Sequence, residues 1–318
     1  MKILITGCAG FIGFHLCKNL LKYSNFEVVG IDNLNSYYSL KLKKLRLDIL
    51  KKKRNFEFYK INISNYNKLK IVFNKKRFDV VINLAAQAGV RYSVNNPKEY
   101  IETNISGFFN VIELCRIFKI KNFYYASSSS VYGDKKIFPL KENQHLVPKN
   151  IYSFSKKSNE DIAQIYKNTY GIDSVGLRFF TVYGEWGRPD MLMIKYLLAK
   201  KNNKNFILNN KGNHFRDFTY IKDVIDILTK LIFLKTKKKN IYNICSNKPI
   251  SVRLILKKLD KLCGRPNIVY QKRLSVEVLK THGSNSEIKK LLKFKKFTNV
   301  DSGIKSLVLW AKKYLDII

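Results

Sequence analysis

Tyr152 and Lys156 lie four residues apart at the head of a stretch that reads as a helix. That spacing puts both side chains on one helical face, where an ammonium beside a phenol favours the phenolate. A tyrosine that ionises near neutral pH is a general base. In a chain with 19 tyrosines and abundant lysine such a pair also arises by chance, so its meaning rests on what surrounds it.

Two further groups suit binding. In Gly7-Cys8-Ala9-Gly10-Phe11-Ile12-Gly13, the glycines join an apolar run, Lys2 to Thr6, to a stretch with Phe11-Ile12, Leu16 and Leu20-Leu21 at helical spacing. Strand, tight turn and helix follow, with backbone N–H groups and a helix N-terminus free to face a pyrophosphate. Asp32 ends the second apolar run, about 20 residues beyond the turn, where a carboxylate accepts from ribose hydroxyls and repels a 2′-phosphate. NAD is therefore expected rather than NADP.

The elements that must hold these residues alternate. Apolar runs begin at residues 2, 27, 56, 78, 122 and 174, with helical patterns between them near 39–53, 65–76 and 97–118. Strands apolar throughout, alternating with helices, imply a parallel sheet covered on both faces. Beyond residue 180 the alternation loosens, with helical patterns at 190–200, 221–234, 251–262 and 302–316 joined by short strands. The expected division is residues 1–180 and 181–318, with some interleaving of segments.

Composition narrows the class. The net charge is +37, from 60 Lys+Arg against 23 Asp+Glu, which raises nucleic acid or an acidic membrane as partners. The charges are scattered in short runs such as Lys51-Lys52-Lys53-Arg54 and no nucleic-acid motif accompanies them, so no nucleic acid partner is expected. Five cysteines without a Cys-x-x-Cys pattern point to reduced, mostly buried thiols, no metal and a cytoplasmic setting. Ile5-Thr6-Gly7-Cys8 imitates a lipoprotein cleavage box, but the apolar stretch before it is too short for a signal core. No run approaches the ~18 apolar residues of a spanning helix, and no membrane association is expected.

Several further stretches carry a family resemblance: Leu84-Ala85-Ala86-Gln87, Asn104, Ser127 to Gly133, Leu177 to Gly184, and Arg216-Asp217-Phe218-Thr219-Tyr220. With Gly7 to Gly13, Asp32 and Tyr152 to Lys156, the chain resembles the extended short-chain dehydrogenase/reductase family of nucleotide-sugar epimerases and dehydratases. The resemblance covers essentially the whole chain. It implies a Rossmann-like doubly wound α/β sheet with a smaller C-terminal α/β substrate-binding domain. Through Ile31 to Tyr38, Ala86 to Ser93 and Trp186 to Asp190 the chain is most similar to UDP-glucuronate 4-epimerases.

The resemblance implies roles. Tyr152 takes the proton of the sugar C4 hydroxyl, Lys156 holds it ionised and touches the nicotinamide ribose, and Ser128 orients the reacting oxygen. Hydride passes to NAD and returns to the opposite face of a 4-keto sugar. Cofactor contacts fall on Gly7, Gly10, Phe11, Ile12, Gly13, Asp32, Asn33, Asn62, Ile63, Leu84, Ala85, Ala86, Gln87 and Asn104, besides Tyr152 and Lys156. Substrate contacts fall on Arg91, Ser128, Ser129, Ser130, Thr181, Arg188, Arg216 and Arg273.

Ser129 and Ser130 stand where similar dehydratases carry Asp-Glu, and neither serine can do the proton work of eliminating water. Ser130 also stands where related decarboxylases carry a Glu, so epimerisation is expected over elimination or decarboxylation. Asn62 stands where the family usually has an Asp that meets the adenine, and the segment 265–290 lacks the usual Gly-Asp and Ala-Asp pairs. A 4-epimerase of a neutral UDP-hexose or UDP-N-acetylhexosamine is the second reading, and a non-catalytic NAD-binding protein the third. A homodimer is expected by analogy, through the helices near 97–118 and 154–169.

Overall fold

Alternating apolar residues become the two faces of one sheet. The computed structural model describes residues 1–234, 239–273, 275–294 and 296–315. In chain order it forms β1 (Lys2–Thr6), α1 (Phe11–Leu20), β2 (Glu27–Asp32), α2 (Leu40–Lys51), β3 (Phe56–Lys60), α3 (Tyr66–Lys75) and β4 (Val80–Asn83). Next come α4 (Tyr92–Asn95), α5 (Pro97–Tyr100), a π-helical segment (Ile101–Ser106), α6 (Gly107–Ile117), β5 (Asn122–Ser128), α7 (Ile151–Tyr170), β6 (Asp173–Phe179) and β7 (Thr181–Tyr183). The remainder is α8 (Leu192–Lys201), β8 (Phe206–Asn209), β9 (Phe215–Tyr220), α9 (Ile221–Phe233), β10 (Ile241–Ile244), β11 (Pro249–Ser251), α10 (Val252–Cys263), β12 (Ile268–Gln271), α11 (Ser286–Leu292) and α12 (Val300–Tyr314).

Seven parallel strands run in the order β10-β6-β5-β4-β1-β2-β3. Successive side chains of a strand point to opposite faces. Ile3, Ile5, Val28, Val80 and Ile82 accordingly pack with α1 and α2 residues such as Phe14, Leu16 and Leu42. Leu4, Val29 and Val81 pack on the other face with Leu69, Phe73, Phe108 and Val111. Both faces are thus covered, as a parallel sheet requires. The strand order reverses between β1 and β4, and ligands of such sheets bind in the crevice there. Residues that imitate a lipoprotein box form the buried β1 and the turn after it.

The second part holds a three-stranded sheet, β11-β9-β7, and a two-stranded one, β12-β8. β10 lies beyond residue 180 yet pairs with β6 at the edge of the large sheet. The pattern at 97–118, read as one helix, is broken into α5, the π segment and α6. The π segment carries Asn104, buried, whose amide holds both Gln87 backbone groups at 2.7 and 3.0 Å and donates to Ser155 Oγ at 3.0 Å. β3 stops at Lys60, and Ile61 to Ile63 leave the sheet as loop. All five cysteines are unpaired, and four are buried.

Candidate active site

The turn after β1 is as tight as its glycines predict. Gly7 has φ +73°, and a Cβ there would lie 2.7 Å from the Ala85 nitrogen. A Cβ on Gly13 would meet the Gly7 carbonyl oxygen at 2.1 Å. Only glycine lets the turn and the first helical turn pack this closely. Asp32 Oδ2 accepts from Ala9 N at 3.1 Å and Oδ1 from Leu34 N at 2.8 Å. Burial pushes its carboxyl up, against the Leu34 N–H bond and the charge of Lys43.

A cavity of about 280 Å³ opens from this turn. Among its walls are Gly7, Gly10 to Gly13, Asp32, Asn33, Asn62, Ile63, Leu84 to Gln87, Ser128, Tyr152 and Lys156. Every expected cofactor contact except Asn104 therefore lines one space, and Asn104 stands behind it holding Gln87. The Asn62 Oδ1 accepts from Ser64 N at 3.2 Å. Gln87 Nε2 is buried without a protein partner among the described residues, a donor left for a ligand. A glycine cradle with no room for a Cβ, a carboxylate at the ribose distance and a spare buried amide fit a dinucleotide.

Sequence reasoning missed Lys43 and Arg46. Lys43 Nζ donates to Asn35 O at 2.7 Å and Oδ1 at 2.6 Å, and burial lowers its pKa to about 8. Arg46 is fully buried, donating to Ala9 O and to Tyr38 Oη at 2.8 Å each, to Gly187 O at 3.3 Å, and to Trp186 O. It ties the glycine turn to the loop that carries Arg188. In the lysine-rich helix Leu40–Lys51 their only signal was a three-residue spacing that many surface pairs share.

Tyr152 and Lys156 sit at the C-terminal end of β5, where the first cavity meets a larger one of about 1060 Å³. The α7 N-terminus that presents them is closed by Asn150, whose side chain accepts from Ser153 N while Ser153 Oγ accepts from Asn150 N. Spacing puts the ammonium on the phenol's side of the helix. Lys156 Nζ donates to the Ala126 carbonyl at 2.9 Å, and burial lowers its pKa to about 8. Burial also raises the Tyr152 pKa, while a hydrogen bond from Ser128 and the charge of Arg188 pull it down. Ser128 Oγ itself accepts from Ser130 Oγ at 2.9 Å.

The larger cavity collects the expected substrate contacts Arg91, Ser128, Ser129, Ser130, Thr181, Arg188 and Arg216. Arg216 donates to the carbonyls of Phe215, Leu279 and Val278 at 2.9, 3.0 and 2.8 Å, and burial brings its pKa down to about 10. The acids nearest in sequence are taken elsewhere: Asp217 accepts from Ser246 and Gly283, and Asp223 from Thr298. Arg273 is exposed and lines neither cavity, though its charge reaches His214 on the wall of the larger one. Glu277 and His214 were not foreseen. Glu277 pairs with Arg91 at 2.5 Å, and its other oxygen faces His214 Nε2 at 3.9 Å. No cluster of metal-ligating side chains occurs among the described residues, and no described helix is long and apolar enough to cross a membrane.

A phenol, a hydroxyl and a dinucleotide cradle meeting at the end of a parallel sheet define a redox-capable enzyme of the short-chain dehydrogenase type. The chain belongs to the NAD-dependent epimerase/dehydratase family, whose model matches residues 3–245, and it is an NAD-dependent nucleotide-sugar 4-epimerase. It is 37% identical to a UDP-glucuronate 4-epimerase of Thermodesulfobacterium geofontis, over 99% of this chain and 97% of that one. It is similar to the crystal structure of a Bacillus cereus UDP-glucuronic acid 4-epimerase in complex with UDP-glucuronic acid and NAD, at 32% identity and TM-score 0.92, covering 98% and 99% of the two chains. It is also similar to a Thermotoga maritima UDP-glucose 4-epimerase with UDP-glucose, at 26% identity and TM-score 0.90, covering 99% and 100%.

Proposed function

We propose that the substrate is UDP-glucuronate, interconverted with UDP-galacturonate. The observation that carries this reading is Arg188, a cation on the cavity wall shared by Tyr152, Ser128 and Thr181. A neutral hexose has no group that calls for a guanidinium beside the reacting carbon. A uronate does, because its 4-keto form is a β-keto acid that loses carbon dioxide when its carboxylate turns perpendicular to the keto plane. Arg188, with hydroxyls from Thr181, Ser129 and Ser130, holds that carboxylate in place.

Tyr152 takes the proton from the C4 hydroxyl and gives it back after the sugar has turned over. Ser128 donates to the reacting oxygen, and Lys156, anchored on the Ala126 carbonyl, brings positive charge to the base and to a ribose hydroxyl. NAD, when bound, supplies the hydride acceptor and donor. Gly7 to Gly13, Asp32, Asn62 and Gln87 hold the dinucleotide, and Arg216 and Arg91 face the diphosphate and nucleoside. Ser129 and Ser130 leave the site without a carboxylate pair for removing water. The exposed apolar residues Phe109 and Ile117 of α6 and Phe154 and Ile165 of α7 support a homodimer through these helices.

Incubating the protein with UDP-glucuronate and, separately, with UDP-glucose, and resolving the products, tests the substrate. Conversion of the uronate to its 4-epimer without pentose is expected. Turnover of UDP-glucose alone would replace this reading with the neutral-sugar one.

A further inference from the structure

The Arg188 guanidinium offers two hydrogen-bonding edges, and one is already occupied. Nε donates to Asp190 Oδ1 at 2.9 Å and Nη2 to Oδ2 at 2.7 Å. Tyr37 Oη donates to the same Oδ2 at 3.2 Å, and the Tyr37 ring lies under the guanidinium, 5.8 Å from its centroid. Nη1 has no protein hydrogen bond among the described residues.

An arginine and an aspartate two residues apart at a surface are usually an ion pair of little consequence. Three observations set this pair apart. The Arg188 side chain is only 22% exposed and lines both cavities, and the pairing is bidentate. Tyr37, more than 150 residues away in the chain, supports both members. Moreover, Arg46 holds the loop backbone independently through the Trp186 and Gly187 carbonyls, so Asp190 is not needed to place the loop. What Asp190 determines is which way the guanidinium faces. A bidentate partner fixes the plane of the fork as well as its position.

We propose that Asp190 is a positioning residue: with Tyr37 it clamps the side-on edge of Arg188 and leaves the Nη1 end for the carboxylate of the sugar. This deepens the uronate reading and rests on it. The clamp matters most at the keto stage. A freely rotating guanidinium still attracts a carboxylate, but it does not hold the carboxylate near the keto plane, and a carboxylate that leaves that plane departs as carbon dioxide. In that side reaction the carboxylate–C5 bond breaks, its electron pair forms an enolate, and protonation gives the 4-keto pentose. Asp190 thus acts on specificity and on product fidelity, through Arg188.

The test uses Asp190→Ala, Asp190→Asn and Tyr37→Phe in the full chain, with UDP-glucuronate and UDP-glucose as substrates and mass spectrometry of the products. Asp190 is exposed, so its replacement leaves the fold intact, which unchanged NAD and UDP binding verifies. For Asp190→Ala the KM for UDP-glucuronate rises about tenfold or more, with a smaller change in kcat, and decarboxylated pentose product appears. Asp190→Asn keeps one acceptor and recovers part of the loss, and Tyr37→Phe changes both readings in the same direction by less. A lower KM in Asp190→Ala would mean that Asp190 competes for Arg188, and unchanged KM and products would mean an ordinary ion pair; either overturns the assignment. Wild-type protein that ignores UDP-glucuronate would instead remove the substrate reading, and this assignment with it.

Discussion

The two cavities are built by opposite means. The inner one is organised on backbone, a glycine turn and the ends of β1, β2 and β4, with larger side chains such as Lys43, Lys156 and Arg188 closing its walls. The outer one is made of long side chains, Arg91, Arg188, His214, Arg216 and Glu277, delivered by loops and strand ends far apart in the chain. A backbone site is fixed by sterics and admits few substitutions. A side-chain site can be retuned one residue at a time, which is why sequence similarity defines the cofactor here more tightly than the sugar.

Tyr152 stands where the cavities meet, so its loss separates them most cleanly. Tyr152→Phe is expected to lower kcat by about 10²–10⁴-fold while bound NAD, measured after denaturing the purified protein, stays at the wild-type level. Loss of NAD as well would mean that the phenol belongs to the inner cavity's architecture. Gly13→Ala attacks the backbone site directly. Its Cβ would collide with the Gly7 carbonyl, so NAD occupancy should collapse and stability fall by about 1–3 kcal/mol, read by thermal unfolding.

Arg216→Ala reaches the outer cavity alone. It should raise the KM for the UDP-sugar about 10- to 100-fold and leave NAD occupancy unchanged. A matching loss of NAD would show that the cavities are coupled through more than Tyr152.

The smallest effect lies on the seam between the two regions. His15, on α1, has Nε2 2.9 Å from the Glu185 carbonyl on the loop that leads to Arg188, so that nitrogen is the protonated one. Burial lowers its pKa to about 4, while the Glu185 carbonyl opposes the shift. Between pH 6.5 and 4 the unfolded chain binds the proton that the folded one refuses, so His15 contributes stability above that window and loses it on acidification. His15→Gln retains a donor but does not titrate. The fall of its unfolding temperature across that window should be shallower than the wild type's.

Much of the inner site was legible because it is local. Gly7 to Gly13 with a strand before, a helix after and Asp32 beyond follow from contiguous residues and elementary sterics. Lys156 carries a contact that spacing did not show: its buried ammonium donates to the Ala126 carbonyl, and the charge of Arg188 also lowers the Tyr152 pKa. The break in the helix at Ile101–Ser106 was invisible because it serves a long-range contact, Asn104 with Gln87. Lys43, Arg46, His214 and Glu277 were hidden for a related reason. In a chain with 60 basic residues, charge alone does not mark a site.

The sequence by itself determined the alternation of strands and helices, the dinucleotide turn, the absence of an acid pair at Ser129 and Ser130, and the Tyr152–Lys156 pair on one helical face. These depend on neighbours within a few residues, where periodicity and backbone sterics are decisive. Tertiary structure decided which cations line the cavities. It carried β10 back into the large sheet, left Arg273 outside both cavities, buried Arg46 between the glycine turn and the Trp186 loop, and locked Arg188 to Asp190. Such choices are made by burial and by competition among hydrogen-bond acceptors, and only the packed chain sets both.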